Sequence, residues 1–253
     1  MQNQNSSAAV RSLRRWPRLA VGILALFFCG VLYAWSIVKS PLESEVGFTR
    51  QQLAVNFTIT MIFFCLGGLA SGLLQRRVRP RVLLLASAVL YFGGMLGCSL
   101  LGAPNTLLLY LFYGVMQGLA IGISYNVIIS VTGSWFQDKK GLCNGALMMA
   151  FGASSLLLGD LLGWLFEQGL ITWSRIYFAL GLLVALVLIF TALFMDRPSP
   201  EQAALLPQPK VRVGGAVRSY STGEMLRDKT FWIFFVAMVC QSAVGNAMLG
   251  FVR

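Results

Sequence analysis

Residues 134–141 read Ser-Trp-Phe-Gln-Asp-Lys-Lys-Gly, a polar hinge that separates two long apolar segments. The first segment, 107–131, contains no charged residue, and the second, 142–164, contains only Asp160. Each segment is long enough to cross a bilayer core of about 30 Å at about 1.5 Å per residue. The stretch therefore predicts two membrane-spanning helices joined by a tight turn.

Glycines recur on one side of each of these two predicted helices. In the first helix they are Gly114, Gly118 and Gly122. Lipid provides no hydrophobic force between helices, so small residues that let two backbones approach drive the packing. We expect both helices to pack, or to slide, along these glycines. In the second helix the glycine stripe comprises Gly141, Gly145, Gly152, Gly159 and Gly163, which lie within roughly 40° of one another at about 100° per residue.

The composition is that of an integral membrane protein. The chain is 57% hydrophobic and 11% charged, with a mean hydropathy of +0.73, which is unlike a soluble domain. A net charge of +11 is compatible with nucleic-acid binding, but the basic residues lie in short loops, which indicates membrane topology instead. The absence of histidine from the sequence removes histidine-based catalysis and metal sites. We expect no enzyme activity, no cofactor, no metal and no nucleic-acid partner.

The apolar runs divide the chain into four parts. A basic tail, 1–18, precedes a six-helix bundle, 19–195, and a proline-rich cytoplasmic linker, 196–229, leads to a seventh helix, 230–253. Residues 1–10 are expected to be disordered. The six bundle helices are predicted at about 19–38, 53–74, 82–101, 107–131, 142–164 and 176–195.

The basic residues are distributed unequally between the two ends of the predicted helices. Sixteen of the twenty lie in the tail, the loop after helix 2, the hinge and the linker. Three, Lys39, Arg50 and Arg175, lie at the opposite end. The positive-inside rule predicts a cytoplasmic amino terminus and linker in the cell membrane. Six helices, a linker and one further helix match half of a twelve-helix plan, so the chain is expected to be cut short; a complete seven-helix protein is the alternative.

Four motifs resemble the major facilitator superfamily, and most of all the oxalate/formate antiporter family. Helix 1 ends Tyr33-Ala-Trp-Ser followed by Pro-Leu at 41–42. The turn after helix 2, 72–81, is similar to the family pattern G-x-L-Q-D-R-x-G-P-R. Helix 4 combines its glycines with Tyr125-Asn and Trp135-Phe, and the basic-Gly turn 138–141 opens helix 5. The resemblance implies an all-α six-helix amino-terminal bundle of 3+3 inverted repeats.

The turn after helix 2 departs from that pattern. Arg76 stands where the family has Asp, and Arg79 where it has Gly. The family resemblance implies that this acid pairs with basic residues to close the cytoplasmic face. With Arg77 and Arg81 the turn holds four arginines and no acid, and Asp138 is a candidate replacement from the hinge.

The resemblance also implies a substrate site walled by the amino-terminal half, with its cationic residues in the carboxyl-terminal half. Tyr33 and Tyr125 match aromatic positions of that wall. Ordinary packing is the alternative for each residue, and Trp35 is expected to lie in the aromatic belt at the outer boundary. The candidate substrate-binding residues are Tyr33, Asn56, Gln117, Tyr125 and Met149.

Asp160 is the one acid inside an apolar run of the six-helix bundle. A carboxylate in lipid is costly and suggests a function. It lies about 28 Å along the helix from Gly141 at 1.5 Å per residue, which places it near the outer interface. A gate or packing role is favoured there over a proton relay.

The sequence therefore predicts a secondary transporter of small carboxylates, such as oxalate, formate, lactate or pyruvate, working by alternating access. Its partners would be the lipid bilayer, the carboxylate, and a proton or counter-anion. The alternative is a truncated, non-transporting remnant or interaction protein.

Overall fold

The computed structural model describes residues 15–168, 172–207 and 222–251, and the predicted disordered segment 1–10 lies outside them. Six of its helices are long and apolar enough to cross a membrane, and the described residues contain no strand. This confirms the predicted all-α membrane fold. The long helices, in chain order, are α1 Arg15–Val38, α2 Arg50–Leu74, α3 Pro80–Ser99, α4 Thr106–Trp135, α5 Lys140–Glu167, α6 Trp173–Phe194 and α7 Lys229–Phe251.

Local capping chemistry sets several helix starts. The Thr49 side chain accepts from Gln52 N while the Gln52 side chain accepts from Thr49 N, which forms a capping box at α2. Asn105 caps α4 through Leu108 N. Pro80 occupies the first turn of α3, where a missing N–H costs nothing. These signals place the starts within a few residues of the predicted bounds.

Two helices depart from regular α geometry, and all seven long helices include residues before their predicted starts. A 3₁₀ stretch, Gly30–Ala34, interrupts α1, and a π stretch, Tyr110–Gln117, forms part of α4. The basic tail was predicted to extend to residue 18, but residues 15–18, the first that the structure describes, already belong to α1.

The chain divides into two compact units, Met1–Pro209 and Lys210–Arg253. The first contains α1–α6, followed by a short helix, Pro200–Leu205. The second contains the short helix Thr222–Arg227 and α7, whose apolar stretch is Lys229–Gly245. Part of the predicted linker is thus helical, residues 208–221 lie outside the described residues, and a membrane crossing by α7 stays a prediction.

The most extensive helix pairings are α1 with α5, α2 with α4, and α3 with α6. If α1, α2 and α3 are exchanged with α4, α5 and α6 in that order, the α1–α5 pair becomes the α4–α2 pair and the α3–α6 pair is unchanged. The same three pairings are therefore recovered. Because the members of each exchanged pair are three positions apart in the order of helices, an odd number, the two repeats cross the membrane in opposite directions. The pairings therefore match the 3+3 inverted repeat that the family resemblance implies.

The glycines of α4 form the predicted close-packed face. A Cβ at Gly118 would lie 2.6 Å from the Thr60 carbonyl oxygen of α2, and one at Gly114 would lie 2.7 Å from Ile59 Cγ2. A Cβ at Gly122 would overlap the Phe64 carbonyl. These distances leave no space for a side chain, so α2 and α4 approach to backbone contact.

Most of the glycine stripe on α5 does not pack against another helix among the described residues, so its role in packing or sliding stays a prediction. No described atom lies within 4 Å of a Cβ at Gly141, Gly145 or Gly152. Only Gly159 and Gly163, at the far end, meet α1 through Ile37. The reason is that α5 buries a different side against α1, comprising Cys143, Leu147, Phe151 and Ser154.

Trp35 was expected in an interfacial aromatic belt, but the structure buries it. Its side chain is 5% exposed, and its ring centroid lies 4.4 Å from that of Tyr113 on α4. The Tyr177 hydroxyl of α6 donates to the Val38 carbonyl of α1 at 3.0 Å. Both contacts follow from the position of this end of α1 inside the bundle, beside α4 and α6.

The predicted orientation is tested by labelling single cysteines. On a background with the five native cysteines replaced, Cys at exposed Ala103 is expected to react with a membrane-impermeant maleimide from outside intact cells. Cys at exposed Lys140 is expected to react only after permeabilisation. The reverse labelling pattern would contradict a cytoplasmic amino terminus.

Candidate functional site

Four aromatic residues from four helices form a cluster: Tyr33 of α1, Phe64 of α2, Tyr125 of α4 and Phe151 of α5. The Phe151 centroid lies 5.2 Å from that of Tyr33 and 5.0 Å from that of Tyr125, both with edge geometry. Phe64 lies 5.6 Å from Tyr125 and 6.3 Å from Phe151. We call these four residues the aromatic cluster. It joins the two predicted tyrosines through a phenylalanine between them.

The two tyrosines of the cluster combine packed rings with available hydroxyls. Phe151 is 4% exposed, whereas Tyr33 and Tyr125 are half-buried. Neither tyrosine hydroxyl forms a hydrogen bond with a described residue. A phenol of this kind donates one hydrogen bond, and its ring edge carries partial positive charge. The cluster therefore offers donors and ring edges to an anion but no positive charge of its own.

The other predicted binding residues do not join the cluster. Asn56 and Gln117 are both fully buried. Gln117 Nε2 donates to the Tyr91 hydroxyl at 3.2 Å, while Gln117 Oε1 and both side-chain polar atoms of Asn56 have no partner among the described residues. Met149 is 72% exposed. Their binding roles stay predictions.

Sequence reasoning missed Phe64 and Phe151. Phenylalanine is common in apolar helices, so neither residue carries a distinguishing pattern. Only the Phe64 position gave a signal, because helix packing at Gly118 and Gly122 implies some partner on a neighbouring helix. The identity of that partner depends on which helix is adjacent.

The end of the bundle that holds the hinge and the α2–α3 turn is joined by charged and polar contacts; we call it the basic end. Arg15 of α1 donates to Asp138 of the hinge at 2.9 Å, and these side chains are only 10% and 16% exposed. The Arg15 guanidinium also lies 5.0 Å from the Phe136 centroid, and that of Arg18 lies 4.0 Å from the Trp135 centroid. The amino terminus of α1 is thereby fixed to the hinge.

A second group of contacts joins the residues after α6 to the same end. Arg81 of α3 forms a salt bridge with Asp196, and the Asp196 carbonyl accepts from Trp135 Nε1 at 2.6 Å. Arg197 donates to Gln75 Oε1 at 3.0 Å. Asp196, which the sequence analysis did not select, therefore holds α3 and α4 together.

The acid that pairs with the α2–α3 turn is Asp196 and not Asp138. Asp138 was the candidate replacement for the missing family acid, but it pairs with Arg15, and Asp196 pairs with Arg81. Arg76 and Arg77 form no ion pair with any described residue and are exposed. Asp160 is also exposed, and its gate or packing role near the outer interface stays a prediction.

The comparisons identify the family. A family model described as Major Facilitator Superfamily matches residues 20–252. The chain therefore belongs to the major facilitator superfamily of membrane transporters, which confirms the family resemblance.

Two curated relatives align with most of the chain. An uncharacterised transporter of the superfamily, YhjX from Escherichia coli K12, is 25% identical over 93% of this chain and 56% of its own length. The oxalate:formate antiporter of Oxalobacter formigenes is 24% identical over 88% of this chain and 51% of its own length. The chain thus spans about half the length of these relatives. Apicoplast pyruvate carrier 1 of Toxoplasma gondii is 29% identical over 51% of this chain and 23% of its own length.

Proposed function

We propose that this chain forms the amino-terminal wall of a secondary transporter for small mono- and dicarboxylates. The aromatic cluster carries the proposal. Its two half-buried tyrosines both pack against Phe151, and their hydroxyls have no partner among the described residues. Relatives named for oxalate, formate and pyruvate support the carboxylate class. A second anion or a proton crosses in the same cycle.

The proposed roles follow from geometry and charge. Tyr33 and Tyr125 donate hydrogen bonds to the carboxylate, while Phe64 and Phe151 hold the tyrosine rings in place. Dehydrating a carboxylate is costly without a paired charge, and the cluster contains no cation. The balancing positive charge therefore comes from outside the cluster.

The basic end is proposed to act as a gate at the cytoplasmic face. The ion pairs Arg15–Asp138 and Arg81–Asp196 connect α1, α3, the hinge and the segment after α6. Alternating access requires one bundle to rock against another as a rigid body. Contacts within the bundle provide that rigidity, and the exposed glycines of α5 provide a face without side chains for a moving neighbour.

Exchange assays on proteoliposomes test the proposal. The longest reading frame that contains these residues is reconstituted beside the 253-residue chain and loaded with oxalate, formate, lactate or pyruvate. Saturable exchange of at least one of them is expected from the longer form. Tyr125→Phe is expected to weaken apparent affinity roughly tenfold, because a hydrogen bond to a charged group contributes about 1.5–3 kcal/mol.

Tyr110→Phe is the matched control, since Tyr110 lies on the same helix but outside the aromatic cluster. Its affinity is expected to stay at the wild-type value. No saturable exchange of any of the four carboxylates in either form, or an equal loss in both tyrosine variants, would contradict the proposal.

A further inference from the structure

The turn between α2 and α3 forms an open cavity of about 530 Å³ whose lining is strongly basic. Among the described residues, five arginines and a single acid, Asp196, contribute to the lining. We call it the arginine pocket. Its lining residues are Gln75, Arg76, Arg77, Val78, Arg79, Pro80, Arg81, Asp196 and Arg197.

Three of the five arginines have no side-chain partner among the described residues. Arg81 pairs with Asp196, and Arg197 donates to Gln75. Arg76, Arg77 and Arg79 form no hydrogen bond or ion pair through their side chains with any described residue, and all three are exposed. Three guanidiniums around one concave turn repel one another, and an anion in the pocket would relieve that repulsion.

The backbone of α3 adds to the positive electrostatic potential that the arginines create in the pocket. The 20-residue helix α3 begins at Pro80 with no side-chain cap, so the positive end of its dipole points toward the turn. Guanidinium groups match the oxygens of a phosphate by paired N–H donors. The pocket therefore has the chemistry of a phosphate site.

The surroundings of the pocket favour a lipid as the source of that phosphate. Leu73, Leu74 and Val82 lie directly beside the turn on two membrane-spanning helices and are 58%, 44% and 52% exposed. An exposed apolar surface next to a ring of arginines matches an acyl chain next to a headgroup. Basic pockets between transmembrane helices bind anionic headgroups in this way.

We propose that the arginine pocket binds the phosphate headgroup of an anionic phospholipid in the leaflet at the basic end, which the predicted orientation makes the cytoplasmic leaflet. Arg76, Arg77 and Arg79 contact the headgroup, and Leu73, Leu74 and Val82 contact the chains. The turn itself, residues 75–81, contains no acid that would repel such a lipid. This lipid site is independent of which substrate the protein transports.

Lipid titration of the purified chain by native mass spectrometry tests the site. The triple variant Arg76→Gln/Arg77→Gln/Arg79→Gln is compared with Lys139→Gln/Lys140→Gln/Lys229→Gln, which removes the same charge elsewhere. The arginine variant is expected to weaken phosphatidylglycerol binding roughly 10- to 100-fold, from the usual contribution of a basic residue near an anionic surface. The lysine variant and the binding of phosphatidylcholine are expected to change little.

A competition experiment decides whether the pocket binds the phosphate of a lipid or free phosphate. Inorganic phosphate in excess is expected to leave bound phosphatidylglycerol in place, and its displacement of the lipid would overturn the lipid assignment. Equal weakening in the lysine variant, or none in the arginine variant, would overturn the site itself. If the triple arginine variant loses helicity, the single variants Arg76→Gln and Arg77→Gln, each expected to weaken binding several-fold, decide the question.

Discussion

Gly122→Leu is expected to prevent the six-helix bundle from assembling. A Cβ at this position overlaps the Phe64 carbonyl of α2 and would lie 3.0 Å from Phe64 Cα. These are backbone atoms and cannot rotate away, so a leucine would force α2 and α4 apart along their whole contact. We expect most of the protein to elute as aggregate in size-exclusion chromatography, with a destabilisation of about 3 kcal/mol or more in the remainder.

Gly145→Leu is the matched control, because it adds the same side chain to another membrane helix. No described atom lies within 4 Å of a Cβ at Gly145. We expect this variant to elute as wild type and to unfold in sodium dodecyl sulfate at nearly the same detergent fraction. Normal assembly of Gly122→Leu would refute backbone contact between α2 and α4, and failure of Gly145→Leu would refute the open face of α5.

Asp138→Asn is expected to destabilise the bundle by about 3 kcal/mol, since removing one partner leaves the other charge buried and uncompensated. The Arg15 side chain is 10% exposed and has Asp138 as its only ion-pair partner among the described residues. The midpoint of unfolding in sodium dodecyl sulfate, followed by circular dichroism, measures the loss.

A double-mutant cycle separates the ion pair from the loss of either residue alone. Arg15→Gln/Asp138→Asn is expected to be more stable than Asp138→Asn, because it removes both charges. Arg50→Gln is the exposed control. It breaks the pair with Glu43, in which Arg50 is 78% exposed, and is expected to cost less than about 1 kcal/mol. Equal effects of Asp138→Asn and Arg50→Gln would show that the Arg15–Asp138 pair is not buried.

The predicted membrane spans agree with the structure because hydropathy is a property of each segment by itself. The transfer of a 20-residue apolar run into lipid depends on its own side chains. The capping residues Thr49, Pro80 and Asn105 also act locally, and they place the starts of α2, α3 and α4 three, two and one residues before the bounds predicted from the apolar runs. The two aromatic positions indicated by the family motifs, Tyr33 and Tyr125, do lie against one ring.

The charge pairs were not predictable, because their partners are far apart in the chain. Arg15 and Asp138 are 123 residues apart, and Arg81 and Asp196 are 115 apart. A sequence shows that the α2–α3 turn lacks its acid, but it does not show which distant acid lies near Arg81. Only the return of the chain at the end of α6 brings Asp196 to the α2–α3 turn.

The sequence by itself determined the class of the protein, the number and ends of the bundle helices, and the basic end of the bundle, since all of these follow from local composition. The tertiary structure decided which face of each helix is buried. The glycines of α4 and of α5 each line one side of their helix, yet α4 packs along its glycines and α5 packs along Cys143, Leu147 and Phe151. In lipid, helices associate through the surfaces that pack most closely. How closely two surfaces pack depends on both helices, so it cannot be read from the sequence of either helix alone.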